Sequence, residues 1–109
     1  MKTATIDYNG KAYNIKQSFR ALIEFEKITG RNAYEASTSI TDSITILYAM
    51  LRVCNTDFIL THDEFLDGLD ENPNALNQFN EYIIALAKDA LELVKISETS
   101  KKKAVKPKH

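Results

Sequence analysis

Apolar and polar positions alternate at the start of the chain. Around Asn9-Gly10, residues Ala4, Ile6, Tyr8, Tyr13 and Ile15 fall on one face of a two-stranded ribbon, and Thr5, Asp7, Ala12 and Asn14 on the other. A two-residue turn pairs Tyr8 with Lys11, Ile6 with Tyr13 and Ala4 with Ile15. Both central positions of such a turn need a positive φ, which Asn and Gly tolerate best. The pattern predicts a β-hairpin over residues 3–16. A slip of one residue would scramble its faces. A lone hairpin is marginal in water, so its apolar face must pack on helices or on a neighbour's strands.

The period then lengthens to that of a helix. Ser18 is placed as an N-cap, Phe19, Leu22, Ile23 and Phe25 build an apolar side, and Gly30 suits the position just past the end. This predicts a helix over about 18–29, followed by a connection at RNAYEASTS, residues 31–39. Ile44, Leu47, Tyr48 and Leu51 mark a second helix over about 41–54, apolar enough to be the central one. Thr61 and Glu64 form a capping box, with Leu60 and Phe65 as its hydrophobic staple, opening a helix over 62–71. Asn72-Pro73 ends that helix and starts another over 73–95, with Leu76, Phe79, Ile83, Leu86, Ala90 and Leu93 at helical steps. From Ser97 the apolar periodicity stops. The expected fold is α+β, mostly α: an N-terminal hairpin and about four helices in one domain of residues 1–96, then a disordered basic C-terminal tail, 97–109.

Charge sharpens that division. Residues 1–94 hold eight Lys or Arg against fourteen Asp or Glu, a net −6, while residues 95–109 hold six Lys against one Glu, a net +5. An acidic body carries a basic tail. Cys54 is the one cysteine, which rules out an intramolecular disulfide. MKTATIDYNG has no apolar leader segment, and ILYAML and YIIALA fall well short of the ~20 residues that span a bilayer. A soluble protein of a reducing compartment is expected, with no membrane contact.

Candidate chemistry is sparse. The acids Asp57, Asp63, Glu64, Asp67, Asp70 and Glu71 lack calcium-loop spacing: Phe65 and Ile59 stand where ligands are needed. They read as a solvated helix face. His62 and His109 are the two histidines, and no motif ties either to a nucleophile. Cys54 reads as a small buried hydrophobe. Glu24 and Glu26 point to different sides of their helix. No catalytic, cofactor-binding or metal-binding residue is expected, and the chain reads as a non-enzyme. Lys101–Lys103, Lys106 and Lys108 would suit nucleic-acid phosphates, but no aromatics interleave them and the acidic body repels DNA. A solubilising tail is the preferred reading.

The order of these pieces carries a resemblance. A hairpin with Gly10, Lys11 and Tyr13 leads into Ser18, Phe19, Arg20, Ala21 and Leu22, then an acidic helix with Glu24 closes on Thr29 and Gly30. An ILYAML helix follows, then Leu60, Thr61 and Glu64, then an Ala/Leu-rich helix. Each piece is common on its own; in this order, over residues 5–94, they resemble the tail assembly chaperones of long-tailed bacteriophages and prophages. The resemblance implies a non-catalytic role in the host cytoplasm: covering and solubilising the coiled-coil-prone tape measure protein until the tail tube polymerises around it. It points to exposed apolar residues as the binding surface, with Tyr8, Tyr13, Phe19, Phe25 and Tyr34 as candidates. The free edges of the hairpin suggest self-association by strand pairing. The family often extends a fraction of its chains by ribosomal frameshifting, for which Lys101–Lys103 is a candidate place. Two other readings fit the same fold class: another small phage structural or head–tail completion protein, and a nucleic-acid-binding regulator acting through the Lys-rich tail.

Overall fold

The computed structural model describes the backbone of residues 3–105 and the side chains of residues 3–89. Strands β1 (Thr3–Tyr8) and β2 (Lys11–Lys16) pair antiparallel in the expected register, with Tyr8 opposite Lys11, Ile6 opposite Tyr13 and Ala4 opposite Ile15. Asn9 at φ 52° and Gly10 at φ 75° supply the two left-handed positions of the turn. Ile6, Tyr8 and Ile15 are buried, and Ala4 and Tyr13 pack at the margin of the same core.

Helix α1 (Phe19–Thr29) starts where the Ser18 hydroxyl accepts from the Ala21 N–H at 3.2 Å, and ends at Gly30, φ 71°. A single 3₁₀ turn, Ala33–Glu35, lies in the connection expected to be plain loop. The Asn32 side chain makes that turn by accepting from the Tyr34 N–H at 2.9 Å. Helix α2 (Ile40–Cys54) is the central element: Leu47 through Leu51 are buried without interruption, because the hairpin, α1, α3 and α4 all pack on it. Burying a Leu, Ile or Phe side chain contributes roughly 1.5–3 kcal/mol. Helix α3 (His62–Glu71) opens on the expected capping box. The Glu64 N–H donates to the Thr61 hydroxyl at 3.1 Å and the Thr61 N–H to the Glu64 carboxylate at 2.8 Å. These bonds hold the Glu64 carboxyl below its usual range.

Two expectations for the last helix are corrected. Helix α4 (Asn74–Val105) faces the core with Ala75, Phe79 and Tyr82, and Leu86 packs beside them. The inward position is therefore Tyr82, and Ile83 stands on the surface. The reason is a competing bond: the Tyr82 hydroxyl turns inward to accept from the Gln17 N–H at 2.9 Å. The helix also runs to Val105, past Lys95, where the apolar periodicity ends. SETSKKKAV contains no Gly or Pro. Extending a formed helix needs no new nucleation, and lysines suit its C-terminal end. The remainder of the expected tail, residues 106–109, lies outside the described residues.

The connection between α2 and α3 holds a core residue that periodicity missed. Phe58 is buried among four aromatic rings: Tyr8 at 6.3 Å, Tyr13 at 5.4 Å, Tyr48 at 5.9 Å and Phe65 at 5.7 Å between centroids, all edge-on. It joins the hairpin to α2 and α3.

Candidate functional site

Helix α1 has two unlike sides. Ala21 and Phe25 are buried on the side that packs on α2, while Phe19 is 79% exposed and Ile23, one turn on, 52% exposed. Residues four apart stand one above the other on a helix, so Phe19 and Ile23 make one outward stripe, with half-buried Leu22 beside it. Ser18 and the end of β2 fix where this stripe begins.

Open clefts flank the stripe. One, about 400 Å³, is lined by Lys16, Gln17, Ser18, Phe19 and Leu22. A larger one, about 550 Å³, runs from Asn14–Lys16 of β2 past Arg20 to Val53 and Cys54. A third, about 280 Å³, is lined by Arg20, Ile23, Glu24, Lys27 and Val53. Lys16, Arg20 and Lys27 give the surroundings positive charge. Glu24, in the wall of the third cleft, is the one acid among them, its carboxylate 3.8 Å from Arg52. An apolar strip with cations beside it suits an amphipathic helix whose flanks are acidic.

The five candidate contact residues do not form one patch. Tyr8 and Phe25 are each 1% exposed, which removes them from the surface. The Tyr8 hydroxyl donates to the Phe65 carbonyl at 3.2 Å, and burial pushes its phenol pKa up. Phe25 faces α2, with the Arg31 guanidinium 5.6 Å from its ring centre. Tyr13 is half-buried against Phe58, with Lys11 Nζ 5.2 Å from the ring centre. Phe19 and Tyr34 alone are strongly exposed, Phe19 in the first turn of α1 and Tyr34 beyond its C-terminal end.

Tyr34, 86% exposed, stands on a turn that is tied down on both sides. Ala33 N–H donates to the Glu26 carboxylate at 2.8 Å. After the turn, Asp42 of α2 gathers the chain. Its carboxylate accepts from the Ser37 N–H at 2.8 Å and the Ser37 hydroxyl at 2.9 Å, and pairs with the Arg31 guanidinium. Nothing in the local pattern marks Asp42 as a buried carboxylate. The Arg31 bond first, then those from Ser37, lower its pKa from 3.8 to about 2. A carboxyl with a lowered folded pKa stabilises the fold above its unfolded pKa and loses that contribution as pH falls through the folded one. Urea midpoints of the wild type and Asp42→Asn are therefore expected to differ at neutral pH and to converge between pH 3.8 and about 2. A constant gap across that window would contradict the assignment.

The hairpin edges are also occupied. The Asn55 amide accepts from the Asn14 N–H at 3.1 Å and donates to the Asn14 carbonyl at 2.8 Å, as a neighbouring strand would. On β1, Gln78 accepts from the Asp7 N–H at 2.8 Å and donates to the Asp7 carboxylate at 3.0 Å. Strand addition at either place must first displace an amide.

Other chemistry-bearing groups stand apart. His62 lies edge-on to Tyr48 at 5.1 Å between centroids, its Nε2 buried without a hydrogen-bond partner. The Cys54 thiol is half-buried, 3.9 Å from the Lys16 carbonyl. Among the described residues no three His, Cys, Asp or Glu side chains gather in a way that could hold a metal ion. No helix of the described residues is long and apolar enough to cross a membrane. What this geometry offers is a surface.

No model of a known family, no curated protein and no solved structure matches the chain.

Proposed function

We propose that this chain is a non-catalytic tail assembly chaperone of a long-tailed bacteriophage or prophage, which binds and solubilises the tape measure protein in the host cytoplasm. The observation that carries the reading is the Phe19–Ile23 stripe, exposed beside open clefts and basic residues. The order of sequence pieces over residues 5–94 supports it independently. A long helix with an uncovered apolar stripe aggregates unless something lies along it. A small rigid domain presenting a short apolar ridge meets that need in many copies, and its work is binding rather than bond-making.

Co-expression with the long coiled-coil protein encoded nearby tests this. The partner is expected to be soluble, and to co-purify, only with this chain present. Replacing Phe19 and Ile23 together by Asp is expected to abolish that rescue while changing stability by less than about 0.5 kcal/mol, since both positions are exposed. A partner equally insoluble with and without the chain would end the chaperone reading. A partner still rescued by the double variant would move the surface elsewhere.

A further inference from the structure

Helix α4 carries a second apolar stripe that the body leaves uncovered, and we propose that it is the interface between two copies of this chain packed antiparallel. The first stripe, Ala75, Phe79, Tyr82 and Leu86, belongs to the core. Ile83, Ile84 and Ala87 stand off it, with Ile84 67% and Ile83 37% exposed. The sequence continues the same helical register at positions 90, 91 and 94 with Ala, Leu and Val. Positions 83, 87, 90 and 94 follow the i, i+4, i+7, i+11 spacing of one helix face, and 84 and 91 flank it.

Length and charge select the occupant. A 32-residue helix is about 48 Å long, most of the molecule's longest dimension of 61 Å. The net charge of −6 over residues 1–94 and +5 over residues 95–109 makes each copy complementary to the other when they run in opposite directions. The lysines at 101–103 of one copy then lie along the acidic body of its mate. A parallel pair would set the two Lys-rich ends side by side. This interface differs from the hairpin edge, where Asn55 and Gln78 already sit, and it does not depend on the chaperone reading.

Sedimentation equilibrium of the full chain is expected to show a dimer that weakens as salt rises. Ile84→Glu puts a charge at an exposed position, so its melting curve should match the wild type. Its dimer dissociation constant should rise about tenfold or more. Changing Lys101, Lys102 and Lys103 together to Glu should weaken the dimer in the same direction without touching the stripe. Orientation is read by Ser100→Cys in a Cys54→Ser background, which cross-links two parallel copies at residue 100 and leaves antiparallel copies unlinked. A monomer at every concentration, a folded Ile84→Glu chain that keeps the dimer, or efficient cross-linking at residue 100 overturns the proposal.

Discussion

Phe58→Ala is expected to cost about 3–5 kcal/mol, the range for removing a fully packed phenylalanine. For a domain of this size that lowers the melting temperature by about 12 °C or more. Phe58 is held by only a few residues of connection between α2 and α3, yet its ring touches the hairpin through Tyr8 and Tyr13, α2 through Tyr48 and α3 through Phe65. Edge-on aromatic pairs contribute about 0.5–1.5 kcal/mol each beyond buried area, and one substitution removes four. The cavity cannot close easily, because the four surrounding rings belong to three elements already fixed by their own packing. Phe58→Leu should recover about half of the loss by refilling part of the space. Circular-dichroism melts of the three chains decide it. A Phe58→Ala chain within about 1 kcal/mol of the wild type would mean that the ring does not bridge these elements.

The features legible in the sequence were those made between near neighbours. The hairpin register follows from alternation and Asn9-Gly10. The Ser18 cap, the Gly30 terminus and the Thr61–Glu64 box are each closed within a few residues. What escaped depends on partners far along the chain. Asn55 stands in for a strand against Asn14, 41 residues away, and Gln78 against Asp7, 71 residues away. Neither amide looks special in a pattern of apolar spacing. Asp42 resembles any acid in the first turn of a helix until Arg31 and Ser37 close on it. Tyr82 and Ile83 show a different difficulty: two apolar stripes overlap on α4, and spacing alone cannot tell which one the body covers. The candidate surface suffered likewise. Tyr8, Phe25, Phe19 and Tyr34 are all large and aromatic, and only the packing separates two core residues from two exposed ones.

Gly68→Ala is expected to destabilise the fold, although Ala normally favours a helix interior over Gly by about 1 kcal/mol. Gly68 lies inside α3 with an ordinary helical backbone, so no left-handed conformation demands a glycine there. Space demands it. A Cβ at this position would run into the Tyr8 hydroxyl and stand 2.7 Å from Cζ and 3.3 Å from Cε2 of the same ring. Tyr8 has no room to yield: it is buried in the hairpin face, edge-on to Phe58, tilted against Phe65 and bonded to the Phe65 carbonyl. Overpacking of this kind costs about 1–3 kcal/mol and should exceed the gain in helix propensity. The strain is shared between two named residues, so a double-mutant cycle isolates it. Tyr8→Phe alone should cost about 0.5–1.5 kcal/mol through the lost hydrogen bond. In that background Gly68→Ala should cost at least about 1 kcal/mol less than it does beside tyrosine, because the first atom it meets is gone. Strict additivity of the two substitutions, or a Gly68→Ala chain more stable than the wild type, would show that the hairpin and α3 do not meet at this point.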